Sequence, residues 1–522
     1  MSTKTLVLGL IILLAATASA DEYLKPTCQS ILKGDLINGM QVVDLDKDGT
    51  PNIMFGTSTG GVLHNYIYKG ADCTTDWTAL ISGGWNYDTD GDVRSFKVVD
   101  LLGNGKNEVV INSVKSAAGG SQPPGTYIRA ISANAIDFWN FRDACGFSQA
   151  VDAADIDGTG KPNVVFGALS SNICALKDSG DGLMPKGSLL WSYQAKNPVG
   201  YVKALDIDGD GKIETVALAN KYMEAYLIVL SSGGTLKWEK KIDGGIFTAM
   251  VPENVVSVSD INGDGKAETI VGTYKNNVIA FDSAGNELWR YDTKNLVSSI
   301  HVADINGKRT VLAGSAPKVY ALDGSGSLVW TWEALTKSTV YSMSSAELDG
   351  GTSIAVGSTK YLYVLDGNGK LKGTWKYTVE IQGLNKAYEE RDANAVAVYM
   401  GDLDGDGETE VVAGWNWEQS TVRGNQYSAD LRVYEINEDY VPSEATATTL
   451  AQSGGTQVAE DTANEEVTPQ DETAEQADEG TLPEAAAENK SPCSCIPMLP
   501  AILALAVAIV AKIPLAATDE KG

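Results

Sequence analysis

The chain has 522 residues, 43% apolar and 21% charged, which excludes a globally disordered polymer and leaves room for several domains or one large repeat array. Its 68 acidic residues against 40 basic ones give a formal net charge of −28, which argues against a nucleic-acid partner gripped through phosphates. Two histidines, His64 and His301, cannot build a His-rich zinc site, whereas 54 glycines with 21 tyrosines and 11 tryptophans suit short strands joined by tight turns.

In chain order, residues 1–20 combine a basic start at Lys4, an apolar run over 6–16, and Ala18-Ser19-Ala20 before Asp21. That is the layout of a secretory signal peptide, and it predicts a mature chain starting near Asp21. An uncleaved anchor is the alternative, but the apolar run is shorter than the ~20 residues a bilayer requires.

From there to Tyr440 the sequence repeats itself. Aspartate-rich loops follow apolar strands at Asp44, Asp100, Asp155, Asp206, Asp260, Asp304, Glu347 and Asp402, at intervals of 43 to 56 residues. Each unit has the same order. An apolar strand enters the loop, a β-branched strand such as Thr269-Ile270-Val271-Gly272 leaves it, a third strand follows, and a fourth ends in aromatics such as Trp289 and Tyr291. Four antiparallel strands per ~50 residues, eight times over, predict an all-β, eight-bladed β-propeller over 21–440. Seven blades is the competing count, because the Asp304 and Glu347 units are shortened. The last unit lacks an aromatic fourth strand, and a strand-like piece from Tyr23 to Leu32 precedes the first. Pairing the two would close the ring with no exposed edge.

Residues 441–495 turn abruptly to Thr, Ala, Glu, Gln and Asp, which predicts a disordered acidic linker. It carries the sequon Asn489-Lys490-Ser491. The apolar stretch 496–517, interrupted by Lys512, predicts one transmembrane helix that places the propeller outside the cell; a removable sorting tail is the alternative reading. The six cysteines suit an exported chain. Cys145 pairs best with Cys174, Cys28 with Cys73, and Cys493 and Cys495 sit beside the membrane segment.

In the loops of the form DxDxDG, the first, third and fifth side chains converge if the chain turns sharply, and the Gly at position six permits that turn. An oxygen-only donor set of this density selects a hard cation, so Ca2+ is the expected ligand. These are not helix-loop-helix sites. Their twelfth positions are Phe55, Ala217, Val271 and Ala413, and the acid or amide falls at position nine.

This pattern resembles the FG-GAP/VCBS repeats of integrin α-subunit propellers and prokaryotic surface proteins, with Phe55-Gly56 and Phe166-Gly167 where those repeats carry their FG pair. The resemblance implies four complete calcium loops: Asp44, Asp46, Asp48 and Asn52; Asp206, Asp208, Asp210 and Glu214; Asp260, Asn262, Asp264 and Glu268; Asp402, Asp404, Asp406 and Glu410. A weaker fifth has Asp155, Asp157, Thr159 and Asn163, with Thr replacing the fifth-position acid. The Asp100 loop, with Leu102 at position three, and the two truncated loops are expected to be metal-free. The repeated tryptophans, such as Trp330 after Tyr320-Ala321-Leu322-Asp323-Gly324, also resemble the motifs of pyrroloquinoline-quinone (PQQ) propellers, where they dock neighbouring blades.

Together these readings describe a calcium-binding propeller anchored at the cell membrane on its extracellular side. It would act as an adhesion or recognition module for a protein or glycan ligand, with no catalytic residues and no nucleic-acid partner. The candidate ligand loops are 83–94, 117–127, 180–187 and 382–394; Trp85, Tyr87, Trp415 and Trp417 are candidate aromatic platforms, with core packing the favoured reading of all four. The alternatives are a PQQ-like or polysaccharide-acting enzyme and a scaffold subunit of an envelope complex. His64 and His301 read as packed or surface residues rather than catalysts.

Overall fold

The computed structural model describes residues 23–440 and 456–457, apart from short stretches, the longest being 69–84, 116–124, 179–186 and 381–387. The signal-like start, most of the acidic linker, the sequon, the apolar segment 496–517 and Cys73, Cys493 and Cys495 lie outside the described residues, as do most of 117–127 and 180–187 and about half of 382–394; the expected loop 83–94 is instead largely strand, Trp85–Asp88 and the start of Asp92–Val99. Among the described residues, no helix is long and apolar enough to cross a membrane.

Eight antiparallel sheets form eight blades. Their inner strands are Ile37–Val43, Asp92–Val99, Ser148–Ala154, Val199–Leu205, Val256–Ser259, Ser299–Ile305, Val340–Leu348 and Ala393–Gly401. The seven-bladed count is thereby excluded. The shortened sixth and seventh units lose loop, not strand. In blade 6, Ile305 pairs with Lys308 across Asn306-Gly307, and both turn residues have positive φ (53° and 76°), as an Asn-Gly hairpin turn requires. Asp304 thus lies within a strand and pairs with Arg309, while the Glu347 carboxylate accepts the Thr352 hydroxyl.

Blade 8 is built from both ends of the ring. Leu24–Lys33 pairs antiparallel with Gly424–Ile436 as its outer strand. The closure is locked by a buried ion pair. Arg432 Nε donates to Asp430 Oδ2 at 2.7 Å, and the same oxygen accepts from Tyr377 and from Gln29 of the closing strand, both at 3.0 Å. The guanidinium lies over the Trp375 and Tyr377 rings. Trp415, fully buried beside them, is core and not a ligand platform; Tyr87 is half-buried, with its hydroxyl on Asp137.

The core is divided among eight apolar clusters, one at each seam between neighbouring blades. Two devices bring the blades together. The Gly after Phe55 and the Gly after Phe166 leave room for the next inner strand: a Cβ on either would lie 2.4 Å from a methyl of Val93 or Val199. On the outside, the indoles of Trp191, Trp238, Trp289 and Trp330 donate to the carbonyls of Ser232, Ser283, Gly324 and Gly367 in the following blade. These tryptophans dock neighbouring blades, the role implied by the PQQ-propeller resemblance. Within blade 3, Cys145 and Cys174 form a disulfide. Cys28 is also disulfide-bonded.

Both histidines are packed. The His64 ring stacks on Phe55, and its Nδ1–H donates to Asn86 Oδ1 at 2.7 Å. His301 Nε2 meets Ser345 Oγ of the next blade at 3.0 Å, and among the described residues no carboxylate hydrogen-bonds this imidazole. The pair therefore lacks the orienting acid of a triad.

Two predictions follow from these contacts. Asp430→Ala leaves Arg432 buried without its partner and is expected to cost about 3–5 kcal/mol in urea or thermal unfolding. Desolvation holds the His301 pKa down at about 4 against an ordinary 6.5. The unfolded chain therefore binds the proton that the folded chain refuses, and this residue's share of stability is lost as pH falls from 6.5 toward 4. In His301→Gln, unfolding midpoints should fall less over that interval than in the wild type.

Candidate metal centre

Each aspartate loop sits at the end of an inner strand and is shaped by its own side chains. The first Asp accepts hydrogen bonds from backbone N–H groups further along the loop. Asp206 Oδ1 takes Gly209 at 2.7 Å and Asp210 at 3.2 Å, and Oδ2 takes Gly211 at 2.8 Å. Asp402 repeats the pattern with Gly405 and Gly407, and Asp260 with Gly263 and Gly265. Asp44 and Asp155 do so with the N–H groups at positions five and six. Positions four and six are left-handed, as at Gly209 (φ 75°) and Gly211 (φ 83°); in the first loop Lys47 (φ 60°) takes position four.

The ninth residue is buried and ties the loop to its base. Asn52, Asn163, Glu214, Glu268 and Glu410 are each at most 3% exposed. Each accepts the backbone N–H of the loop's second residue: Leu45, Ile156, Ile207, Ile261 and Leu403. Those second residues are themselves buried in the seams. Sequence reasoning missed this anchor, although its signal, an invariably aliphatic residue after the first Asp, stands in all eight units from Leu45 to Leu403.

Three loops gather carboxylates around a point. Ligand oxygens of Asp206, Asp208, Asp210 and Glu214 lie within 4.8 Å of one another, as do those of Asp44, Asp46 and Asp48 and those of Asp402, Asp404 and Glu410. Two oxygens bound to one calcium at ~2.4 Å can be at most about 5 Å apart, so one ion can be shared by each group. Asp406 does not join the third group; its Oδ1 accepts the Glu408 N–H. Asn52 adds no acid to the first. In the Asp260 loop, Asn262 Nδ2 donates to Asp264 and to Glu268 Oε1, so an amide stands among the acids. In the Asp155 loop the Thr159 hydroxyl donates to Asp157.

Burial and mutual repulsion set the electrostatics of these loops. Burial, aided by Asp404, Asp406 and Asp402, pushes Glu410 up to about 7, against backbone donation from Leu403 that lowers it. Glu268 is raised for the same primary reason. Glu214 is also raised by burial, but Lys237 offsets part of that. Lys237, on the outer strand Leu236–Asp243, places Nζ 2.5 Å from Asp208 Oδ2 and 3.1 Å from Glu214 Oε1. Asp208 Oδ1 is buried with no hydrogen-bond partner. An all-oxygen donor set with an orphaned carboxylate oxygen fits a hard divalent cation such as Ca2+.

A family model described as the lambda-carrageenase β-propeller domain matches residues 216–318. No curated protein matches the sequence. Among solved structures, the chain is similar to BamB from Moraxella catarrhalis at 15% identity and TM-score 0.45, over 79% of this chain and 99% of that one. It is also similar to Chaetomium thermophilum Sqt1 bound to the N-terminus of ribosomal protein L10, at 13% identity and TM-score 0.43, over 77% and 92%. A third similarity is to BBS1N in complex with ARL6DN, at 11% identity and TM-score 0.42, over 67% and 95%.

Glu410→Gln keeps an acceptor for the Leu403 N–H and removes a carboxylate that is costly to bury among three other acids. In chelator at pH 8, this variant is expected to unfold at an equal or higher urea concentration than the wild type, and a lower midpoint would contradict the electrostatic account of the loop.

Proposed function

We propose that this protein is a calcium-stabilised recognition propeller of the FG-GAP/VCBS type, held on the outside of a membrane. The observation that carries the reading is the gathering of carboxylate oxygens within 4.8 Å in three loops at the same end of their inner strands. Two carboxylates ~4 Å apart repel by roughly 4 kcal/mol at a surface-like dielectric, so each group is better occupied than empty. The ion ties a loop whose second residue is already in a seam, so calcium acts on the rigidity of the ring. The signal-like start, the acidic linker 441–495 and the apolar segment 496–517 support display above a membrane, with the propeller presented to a protein or glycan.

Saturating Ca2+ is expected to raise the melting temperature over chelator, each site contributing about 2.7 kcal/mol at a hundredfold excess over its dissociation constant. Glu410→Gln should lose one site's share of that gain. Ligand capture on glycan arrays and from cell-surface extracts should weaken when calcium is removed. If the melting curve is identical in Ca2+ and in chelator, the calcium reading fails.

A second reading is favoured by the match of residues 216–318 to the lambda-carrageenase propeller domain: the ligand is a polysaccharide, bound or cleaved. Incubation with carrageenans separates the two cases. New reducing ends would make the protein an enzyme, and retention on immobilised polysaccharide without them would make it a binder.

A further inference from the structure

The five aspartate loops of DxDxDG type and its near variant are not electrostatically alike, and the difference lies in one residue outside them. In blade 4, Lys237 Nζ touches two of the four gathered carboxylates, Asp208 at 2.5 Å and the buried Glu214 at 3.1 Å. The Asp44 and Asp402 groups have no lysine or arginine ion pair among the described residues.

The position of Lys237 is structurally defined. It is the bulged residue of the outer strand, between the pairs Val229↔Trp238 and Leu230↔Leu236. The same bulge recurs in the neighbouring blades at Leu190, Leu288 and Val329, each the residue before a docking tryptophan. An aliphatic side chain there has nothing to offer a carboxylate. A lysine there has four methylenes that carry an ammonium to the loop of its own blade, and it directly precedes the indole that docks on blade 5.

We propose that Lys237 is a tethered counter-cation that competes with a divalent ion for the Asp206 loop, making this loop the lowest in affinity of those that gather carboxylates. The proposal rests on the calcium reading above and adds a residue that sets affinity. The ammonium occupies Asp208 Oδ2 and Glu214 Oε1 and leaves Asp208 Oδ1 open, so an ion entering the loop meets a fixed positive charge on two of its four carboxylates and must bind against that repulsion or displace it. The blade then has two cross-braced states. With calcium scarce, the ammonium pins the outer strand Leu236–Asp243 to the loop. With calcium abundant, that strand is released from the loop while the ion takes over.

The test is calorimetric titration of the purified full-length protein in detergent with CaCl2, comparing wild type, Lys237→Met, and Lys237→Met combined with Asp206→Asn. In Lys237→Met, one class of sites is expected to tighten by about tenfold or more, as removal of a competing charge should allow, and the double variant should lose that class. Melting temperatures give an independent readout: Lys237→Met should melt below wild type in chelator, with the gap closing or reversing in saturating Ca2+. Lys237→Gln serves as a second variant if Lys237→Met does not fold. Isotherms that match wild type while calcium still binds would overturn the role of Lys237 and leave the calcium reading standing. No calcium heat in any variant would overturn both.

Discussion

The constraint on which this molecule depends is burial at the seams. A four-stranded sheet of ~50 residues has two apolar faces and cannot bury either alone, so each blade is stable only against its neighbours and the array must close. The aspartate loops belong to this constraint. Their second residues, Leu45, Ile156, Ile207, Ile261 and Leu403, are core side chains, and their ninth residues cap the backbone of those same positions. What surrounds the candidate ion is therefore fastened to the packing between blades, and a charge placed in the loop acts on a seam rather than on a free turn.

The polar chemistry follows the same division. In three of the units that keep a long loop acids gather, and where the ninth residue is Glu214, Glu268 or Glu410 its carboxyl is raised by desolvation. Where the loop is cut to a hairpin, as at Asn306-Gly307, the leading acid is satisfied by Arg309 instead. Blade 4 combines the two solutions, a full loop and a lysine within reach of it. One architecture thus carries several ways to neutralise the same carboxylate position.

Much of this was legible in the sequence. The recurrence of the loops gave the number of blades, and the missing fourth strand of the last unit gave the closure with the segment after Tyr23. The Trp positions marked the docking points because large aromatics recur at one register of the fourth strand. Convergence of Asp206, Asp208 and Asp210 was readable from spacing, since the three lie on one turn; Glu214, at the start of the following strand, came only from the family resemblance. What could not be read are contacts between elements far apart in the chain: Lys237 on the Asp206 loop, and Asp430 with Arg432, Tyr377 and Gln29. Core packing, the favoured role of Trp415, is what the last blade shows, where the indole meets Trp375 and Tyr377. The separation of Asp406 from its group also has no counterpart in spacing, since Asp48 and Asp210 hold the same position and the same kind of backbone N–H yet stay with theirs.

The closing strand Leu24–Lys33 has a consequence for the order of events in synthesis. It is the first part of the ring to be made, yet its partner Gly424–Ile436 is the last. For nearly the whole of translation, that opening segment has no sheet to join, and the eighth blade exists only as a gap with two exposed rims. The nascent polypeptide must keep its leading strand unpaired until the final hairpin emerges, so its rate of maturation is governed by a single encounter between the beginning and the end of the array. A chain released before Ile436 would hold seven nearly finished sheets and an open edge at each end, a form suited to aggregation or to capture by quality-control proteases.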